Sequence, residues 1–390
     1  MHRFRCRSVP LIATTLLALT CASLVASPQD KRKKVQVYIL AGQSNMEGKG
    51  FPEPIAYQVT QAKYRDRYAH FIKGKDFASF AKVLNASIAK NPKQPVYNWS
   101  VREDVWVNYL DQRGNLTVGF AAPRKCFGPE YNFGHVMGDH FDGQVLIIKT
   151  AWGGKSLGRD FRSPSSNLPS DAEFEAMAQQ QNTQIQKHNA RNKNRKPRPL
   201  VTAADIKKPY GHFYREMLRE VKGTLSELKT RFPKYKGQGY ELRGFVWFQG
   251  WNDQFNREWA TNYGKFMANF IRDVRRDLDA PKLPFVIGQI GFNGMQKSKP
   301  TKDGKLSNRD LIKRGQLAMA KEFPKTVRSV KTDLFWDMDA EAIYRGPGGW
   351  SKDVDKWRQF GNERPYHYYG SPWFFAQAGE AFGKAMLEIQ

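Results

Sequence analysis

Cysteine is nearly absent from this chain. Cys6, Cys21 and Cys126 are the only three in 390 residues. The first two fall in an N-terminal segment with the marks of an export signal: Arg3, Arg5 and Arg7 at its start, an apolar stretch from Leu11 to Val25, and small residues at Val25-Ala26-Ser27. Cleavage after Ser27 leaves Cys126 alone. That excludes an internal disulfide framework and leaves one thiol, expected to be buried. Metal-ligand spacings are missing as well. No cysteine cluster or His-x-x-x-His pair occurs, and His135 and His140 do not share a helix face, so neither a metal nor another cofactor is expected. The apolar run near the N-terminus is short and interrupted by threonine for a membrane span, and no integral membrane segment is expected once it is removed. Acidic residues are outnumbered, 37 against 63 basic, for a formal charge of +26, or +23 without Arg3, Arg5 and Arg7. The excess Lys and Arg are spread through nearly every segment, which suits a basic soluble protein better than a polyanion-binding stripe. No nucleic-acid-binding motif is present, so nucleic acid is not an expected partner.

What is present is a chain able to fill a core, with 40% hydrophobic and 13% aromatic residues. Apolar, β-branched runs at 35–42, 145–150, 242–248, 285–290 and 327–335 read as strands. Helical spacing follows them at 130–140, 212–228, 259–278, 311–323 and 372–387. Such alternation predicts a three-layer α/β/α sandwich on a mostly parallel five-stranded sheet. Residues 28–390 are expected to form one domain with insertions at about 51–125 and 159–209. The first contains a hairpin turning at Gln112-Arg113-Gly114-Asn115, either part of a pocket rim or an accessory hairpin. The second, rich in Gln, Asn and Lys, is either a lid or a solvated decoration.

The first strand ends at Gly42-Gln43-Ser44-Asn45-Met46. A serine at the C-terminal end of a parallel strand lies where open α/β sheets place their ligands; the same spacing also suits a helix-capping serine. Met46 stands where a Gly-x-Ser-x-Gly elbow has its second glycine. Three further blocks carry chemistry: Ala151-Trp152-Gly153-Gly154-Lys155-Ser156, Gln249-Gly250-Trp251-Asn252-Asp253 and Pro365-Tyr366-His367-Tyr368-Tyr369. A side-chain amide such as that of Asn252 can face a developing oxyanion.

Together these four blocks resemble the SGNH-type carbohydrate esterases, the sialate O-acetylesterases and acetylxylan esterases, whose domain is flavodoxin-like. The resemblance implies Ser44 as nucleophile and His367 as base. It implies an oxyanion hole of the Ser44 N–H, a glycine N–H from Gly154 or Gly153, and Asn252. Gln43 and Gln249 are expected to contact substrate, and Gln249 to share the oxyanion task. The implied substrate is an O-acetylated carbohydrate, met after export to a secreted or periplasmic location. Glu130 is expected either to orient the serine loop or substrate, or simply to start its helix. The chain departs from the family at Arg364, where an aspartate usually precedes the base by three residues. Glu363, Asp253, Asp337, Asp339 or a backbone carbonyl remain as supports for His367. Arg364 also motivates a rival reading, a carbohydrate-binding protein with weak or no catalysis on the same scaffold.

Overall fold

Val35, Val37, Tyr38, Ile39 and Leu40 are fully buried and form the centre of strand β1, Val35–Gly42. Each apolar side chain so buried contributes roughly 1.5–3 kcal/mol. The computed structural model describes residues 33–74, 76–91, 99–296 and 304–390. The export signal expected over 1–27 lies outside the described residues.

Around β1 stand β2 (Arg102–Tyr109), β3 (Gln112–Leu116), β4 (Val145–Ala151), β5 (Tyr240–Phe248), β6 (Phe285–Gln289) and β7 (Val327–Lys331). They form a seven-stranded sheet of order β3-β2-β4-β1-β5-β6-β7. All neighbours pair in parallel except β2 and β3. The expected α/β architecture is present, with corrections at the hairpin and after β7. The hairpin is not accessory: Val105↔Val145 through Tyr109↔Lys149 pair β2 with β4, and the sheet has seven strands rather than five. Val105 to Tyr109 are buried because a strand covered on both faces carries an apolar run without alternation; the polar Arg102-Glu103-Asp104 start obscures that run. The turn also lies earlier than expected, at Leu110-Asp111 between the paired Tyr109 and Gln112, with Leu110 at φ 52°. Residues 112–115 belong to β3, and residues 332–335 form a 3-10 turn after β7 rather than strand.

Alternation along β5 assigns the layers. Phe248 meets Phe382 of the Pro372–Leu387 helix at 5.5 Å, whereas Phe245 and Trp247 meet Phe270 of the Arg257–Asp277 helix at 5.8 and 4.6 Å. The Glu130–His140 helix shares the first face, where Tyr38 meets Phe133 at 5.2 Å. Strands are added outward from β1 in both directions, so the C-terminal ends of β4, β1 and β5 border the crevice where such sheets bind ligands. Cys126 is buried and unpaired. Among the described residues no helix is long and apolar enough to cross a membrane, and no group of His, Cys, Asp or Glu is arranged for a metal ion.

Candidate active site

β1 and β5 approach so closely at their ends that a Cβ on Gly42 would lie 2.1 Å from the Phe248 carbonyl oxygen. Only glycine fits there, and the chain turns at once into the short Ser44–Glu47 helix. Ser44 N–H belongs to a first helical turn, whose donors have no intrahelical acceptor. Its Oγ lies 3.0 Å from His367 Nε2, across 323 residues of sequence. Asn45 Nδ2 donates to the Tyr366 carbonyl at 3.1 Å, tying the serine turn to the segment that carries the histidine.

The orientation of the amides beside Ser44 follows from one backbone donor. Gly250 N–H can only donate, and it meets Gln43 Oε1 at 3.2 Å; Gln249 Nε2 donates to the same oxygen at 3.1 Å. Gln43 must therefore present Nε2 to Asn252 Oδ1, 3.3 Å away. With its oxygen engaged, Asn252 presents Nδ2 to the pocket, 4.0 Å from where a Cβ on Gly154 would lie. Gly154 is left-handed, at φ 71°. Gly153 is a different case. Its N–H donates to Glu47 Oε1 at 2.7 Å, so of the two glycines it is Gly154 whose N–H has no acceptor among the described residues.

Gln43 and Gln249 were expected at the substrate, yet both are buried. Gln249 Nε2 also donates to the Lys155 carbonyl at 2.9 Å and to Asp253 at 2.6 Å, while its Oε1 accepts from Tyr263 at 3.0 Å. With no free donor it has nothing to offer an oxyanion; it braces the turns on either side. Asp253 in turn accepts Leu157 N–H and Gly158 N–H at 3.0 and 2.8 Å. Burial pushes its carboxyl up to about 6 against the opposing pull of these donors.

Two supports escaped the sequence reading, Glu47 and Lys149. Lys149 is fully buried within β4 and donates to the Glu47 carbonyl at 2.7 Å, the Phe120 carbonyl at 2.6 Å and Glu130 Oε2 at 2.7 Å. Three acceptors match the three ammonium protons. Burial draws the lysine down and Glu130 up, each opposed by the other's charge. Glu130 also accepts Gly128 N–H at 2.8 Å, so it both starts its helix and, through Lys149, steadies the helix bearing Ser44. A lysine inside an otherwise apolar strand was the available signal, since buried charges are paired. Removing one member of such a pair typically costs about 3–5 kcal/mol.

His367 sits in a tight segment closed on itself: His367 N–H and Tyr369 N–H both donate to the Arg364 carbonyl, at 2.9 and 3.1 Å. Behind the ring, Nδ1 lies 3.4 Å from Glu363 Oε2. That is an ion-pair distance, without hydrogen-bond geometry. Burial raises the Glu363 carboxyl, but His367, Arg364 N–H and the charge of Lys49 outweigh it and hold the group below its ordinary range. The other carboxylates are engaged elsewhere: Asp253 as above, Asp337 with Ala340 N–H and the Ser371 hydroxyl, Asp339 with Lys63 and Tyr64. Arg364 turns outward, exposed, over the Trp350 ring at 5.1 Å.

A family profile described as carbohydrate esterase, sialic acid-specific acetylesterase, matches residues 34–194 and 200–334. That span includes Ser44, Gly154 and Asn252 and stops short of His367. Among solved structures, the chain is similar to a protein of Arabidopsis thaliana (14% identity, TM-score 0.46, covering 91% of this chain and 98% of that one). It is also similar to the carbohydrate acetylesterase XAC1771 of Xanthomonas citri (13%, 0.43, 91% and 56%) and to NanS (11%, 0.35, 79% and 79%). No curated protein matches.

Proposed function

The chain belongs to the family of carbohydrate esterases that includes the sialic acid-specific acetylesterases, and from that premise we propose that it is an exported serine esterase removing O-acetyl groups from a glycan. The observation that carries this reading is the 3.0 Å approach of Ser44 Oγ to His367 Nε2 beside a free glycine N–H and an oriented amide. In the proposed reaction Ser44 Oγ attacks the acetyl carbonyl carbon as its proton passes to His367 Nε2. Glu363, behind the ring, offsets the imidazolium charge that forms. The carbonyl oxygen, now negative, takes donors from Gly154 N–H, Asn252 Nδ2 and Ser44 N–H. The tetrahedral centre collapses by breaking its bond to the sugar oxygen, which receives the proton from His367. Water, deprotonated by the same imidazole, then attacks the acetyl-serine and releases acetate.

Aromatic side chains flank this centre in a manner that suits a sugar ring. Trp251 meets Phe292 at 4.4 Å and Tyr366 at 5.2 Å, and Tyr366 and Phe255 are exposed. Apolar sugar faces pack on such rings while hydroxyls stay hydrated. The basic, apolar and small-residue order of the first 27 residues supports export.

Purified protein is incubated with acetylated xylan, pectin and O-acetyl sialosides, and liberated acetate is measured beside Ser44→Ala. Acetate release from one of these by the wild type, and its near-complete loss in the folded variant, is the expected result. Release that persists in Ser44→Ala rejects Ser44 as nucleophile. Stoichiometric glycan binding without release by the wild type favours the binding-protein reading.

A further inference from the structure

The stretch 159–209 was expected to be a lid or a decoration. Residues of it line a groove of about 430 Å³. The capped helix Asp171–Arg191 supplies Gln180, Gln181 and Gln184, at spacings that share one helix face. Arg159, Asp205, Tyr210 and Trp259 line it as well. The amides of the three glutamines have no protein partner among the described residues, and they are exposed. Arg159 lies over the Trp259 ring at 5.9 Å, with its Nε buried and without an acceptor. Its charge is already answered by Asp160, at 3.2 Å. The groove thus offers neutral amide donors and acceptors, an aromatic surface, one unused N–H and the Asp205 carboxylate, which accepts Thr202 N–H. These groups recognise hydroxyl-rich neutral ligands better than anions.

Position decides what such a ligand is. Arg159 follows the C-terminal end of β4, and Trp259 begins the helix that follows β5. These strands flank β1, so the groove opens on the same sheet edge as Ser44. The two places share a wall. Gly158 packs against Trp259 so tightly that a Cβ there would lie 2.5 Å from Trp259 Cγ, and Leu157 and Gly158 hang from Asp253, the neighbour of Asn252. From Gly154 to Arg159 the chain spans at most ~18 Å. We propose that this groove is a distal subsite for the unmodified sugar units of a neutral oligo- or polysaccharide whose acetylated unit lies at Ser44. The inference rests on the esterase reading and extends it from a sugar to a chain of sugars.

The test separates the two. Binding of xylo-, manno-, cello- and chito-hexaose to the Ser44→Ala protein is measured by calorimetry, without turnover. The Gln180→Ala/Gln184→Ala pair removes two of the three amides, and Gln181→Trp fills the groove; all three positions are exposed, so folding is not at stake. One hexaose is expected to bind, tighter than its monosaccharide by at least tenfold, and either groove variant should abolish that gain. In the Ser44-intact background both variants should hydrolyse aryl acetates at the wild-type rate. Binding of no hexaose, or equal binding by the groove variants, overturns the subsite. Aryl acetate hydrolysis that still depends on Ser44 would leave the esterase reading standing in that event.

Discussion

Ser44 and His367 meet from opposite ends of the chain, and the two segments that deliver them are held by different forces. The serine turn is held by polar saturation. Gln43, Gln249, Asp253, Glu47 and Lys149 satisfy one another and the local backbone through hydrogen bonds of 2.6 to 3.3 Å. The histidine segment is held by rings. Tyr368 and Tyr369 are left-handed, at φ 51° and 60°, which costs on the order of 1–2 kcal/mol each for residues with a Cβ. They stay there because Tyr368 stacks on Phe374 at 3.5 Å and Tyr369 packs on Trp336 and Tyr344 at 4.9 and 5.0 Å, pairs worth about 0.5–1.5 kcal/mol beyond their area. The lesson is one of tolerance. A polar network fixes atoms to tenths of an ångström but fails when one member is lost, whereas aromatic packing fixes a backbone and leaves the contact at its tip, here 3.4 Å from Nδ1 to Glu363, looser.

The polar side should therefore break hardest. Asn252→Ala removes the proposed oxyanion donor and is expected to lower kcat on aryl acetates by about 10²–10³-fold, equivalent to roughly 2.7–4 kcal/mol, with KM little changed. Gln43→Ala should lose a large part of the same factor, because nothing then holds Asn252 with its Nδ2 toward the pocket. Since both act through one amide, the double variant should be little worse than Asn252→Ala alone. Multiplicative losses in steady-state kinetics would show that Gln43 acts by a separate route.

The same contrast explains what could be read from the sequence. The serine turn was legible because strand periodicity, a glycine and a serine coincide within a few residues. Strands β1, β4, β5, β6 and β7 were legible from their apolar runs. Which of Gly153 and Gly154 keeps its N–H unengaged was not, because Glu47, from another turn, takes the Gly153 N–H. Gln43 and Gln249 looked like ligand contacts because an exposed amide and a buried bracing amide are the same letters in a sequence; burial alone separates them. β2 was missed as a sheet strand because its charged start hid the buried Val105–Tyr109 run. His367 was singled out because the family resemblance puts the base just before the last helix. Its carboxylate stayed undecided, because Glu363 reaches the ring only after the left-handed turn of Tyr368 and Tyr369 folds the segment back, its Tyr369 carbonyl accepting Asn362 N–H and Glu363 N–H at 2.8 and 3.1 Å.

Glu363→Gln probes the looser contact. Losing a well-bonded triad carboxylate drops kcat by ~10⁴; at 3.4 Å without hydrogen-bond geometry the expected loss is nearer 10-fold to 10²-fold. The stability effect has a definite sign. Glu363 ionises below the ordinary carboxylate range when folded, so its contribution is present at neutral pH and lost as pH falls through that lowered value. The variant should lack this part of the acid-side slope in denaturation midpoints. A loss near 10⁴ would mean that the contact tightens into a hydrogen bond during turnover.

Tyr368→Phe asks the smallest question, and the answer sharpens the contrast most. The Tyr368 hydroxyl accepts Gly291 N–H at 2.9 Å, deep under the histidine segment, while its ring stacks on Phe374. Removing the oxygen leaves a buried N–H without its acceptor, at a cost of about 1–3 kcal/mol, but keeps the ring. If aromatic packing sets the left-handed backbone, urea denaturation should show that loss of stability while kcat and KM of the folded protein stay within twofold of wild type. A fall in kcat as large as the one expected for Glu363→Gln would mean that the Gly291 bond, and not the ring, places His367, and the two halves of the site would then be held by the same kind of force.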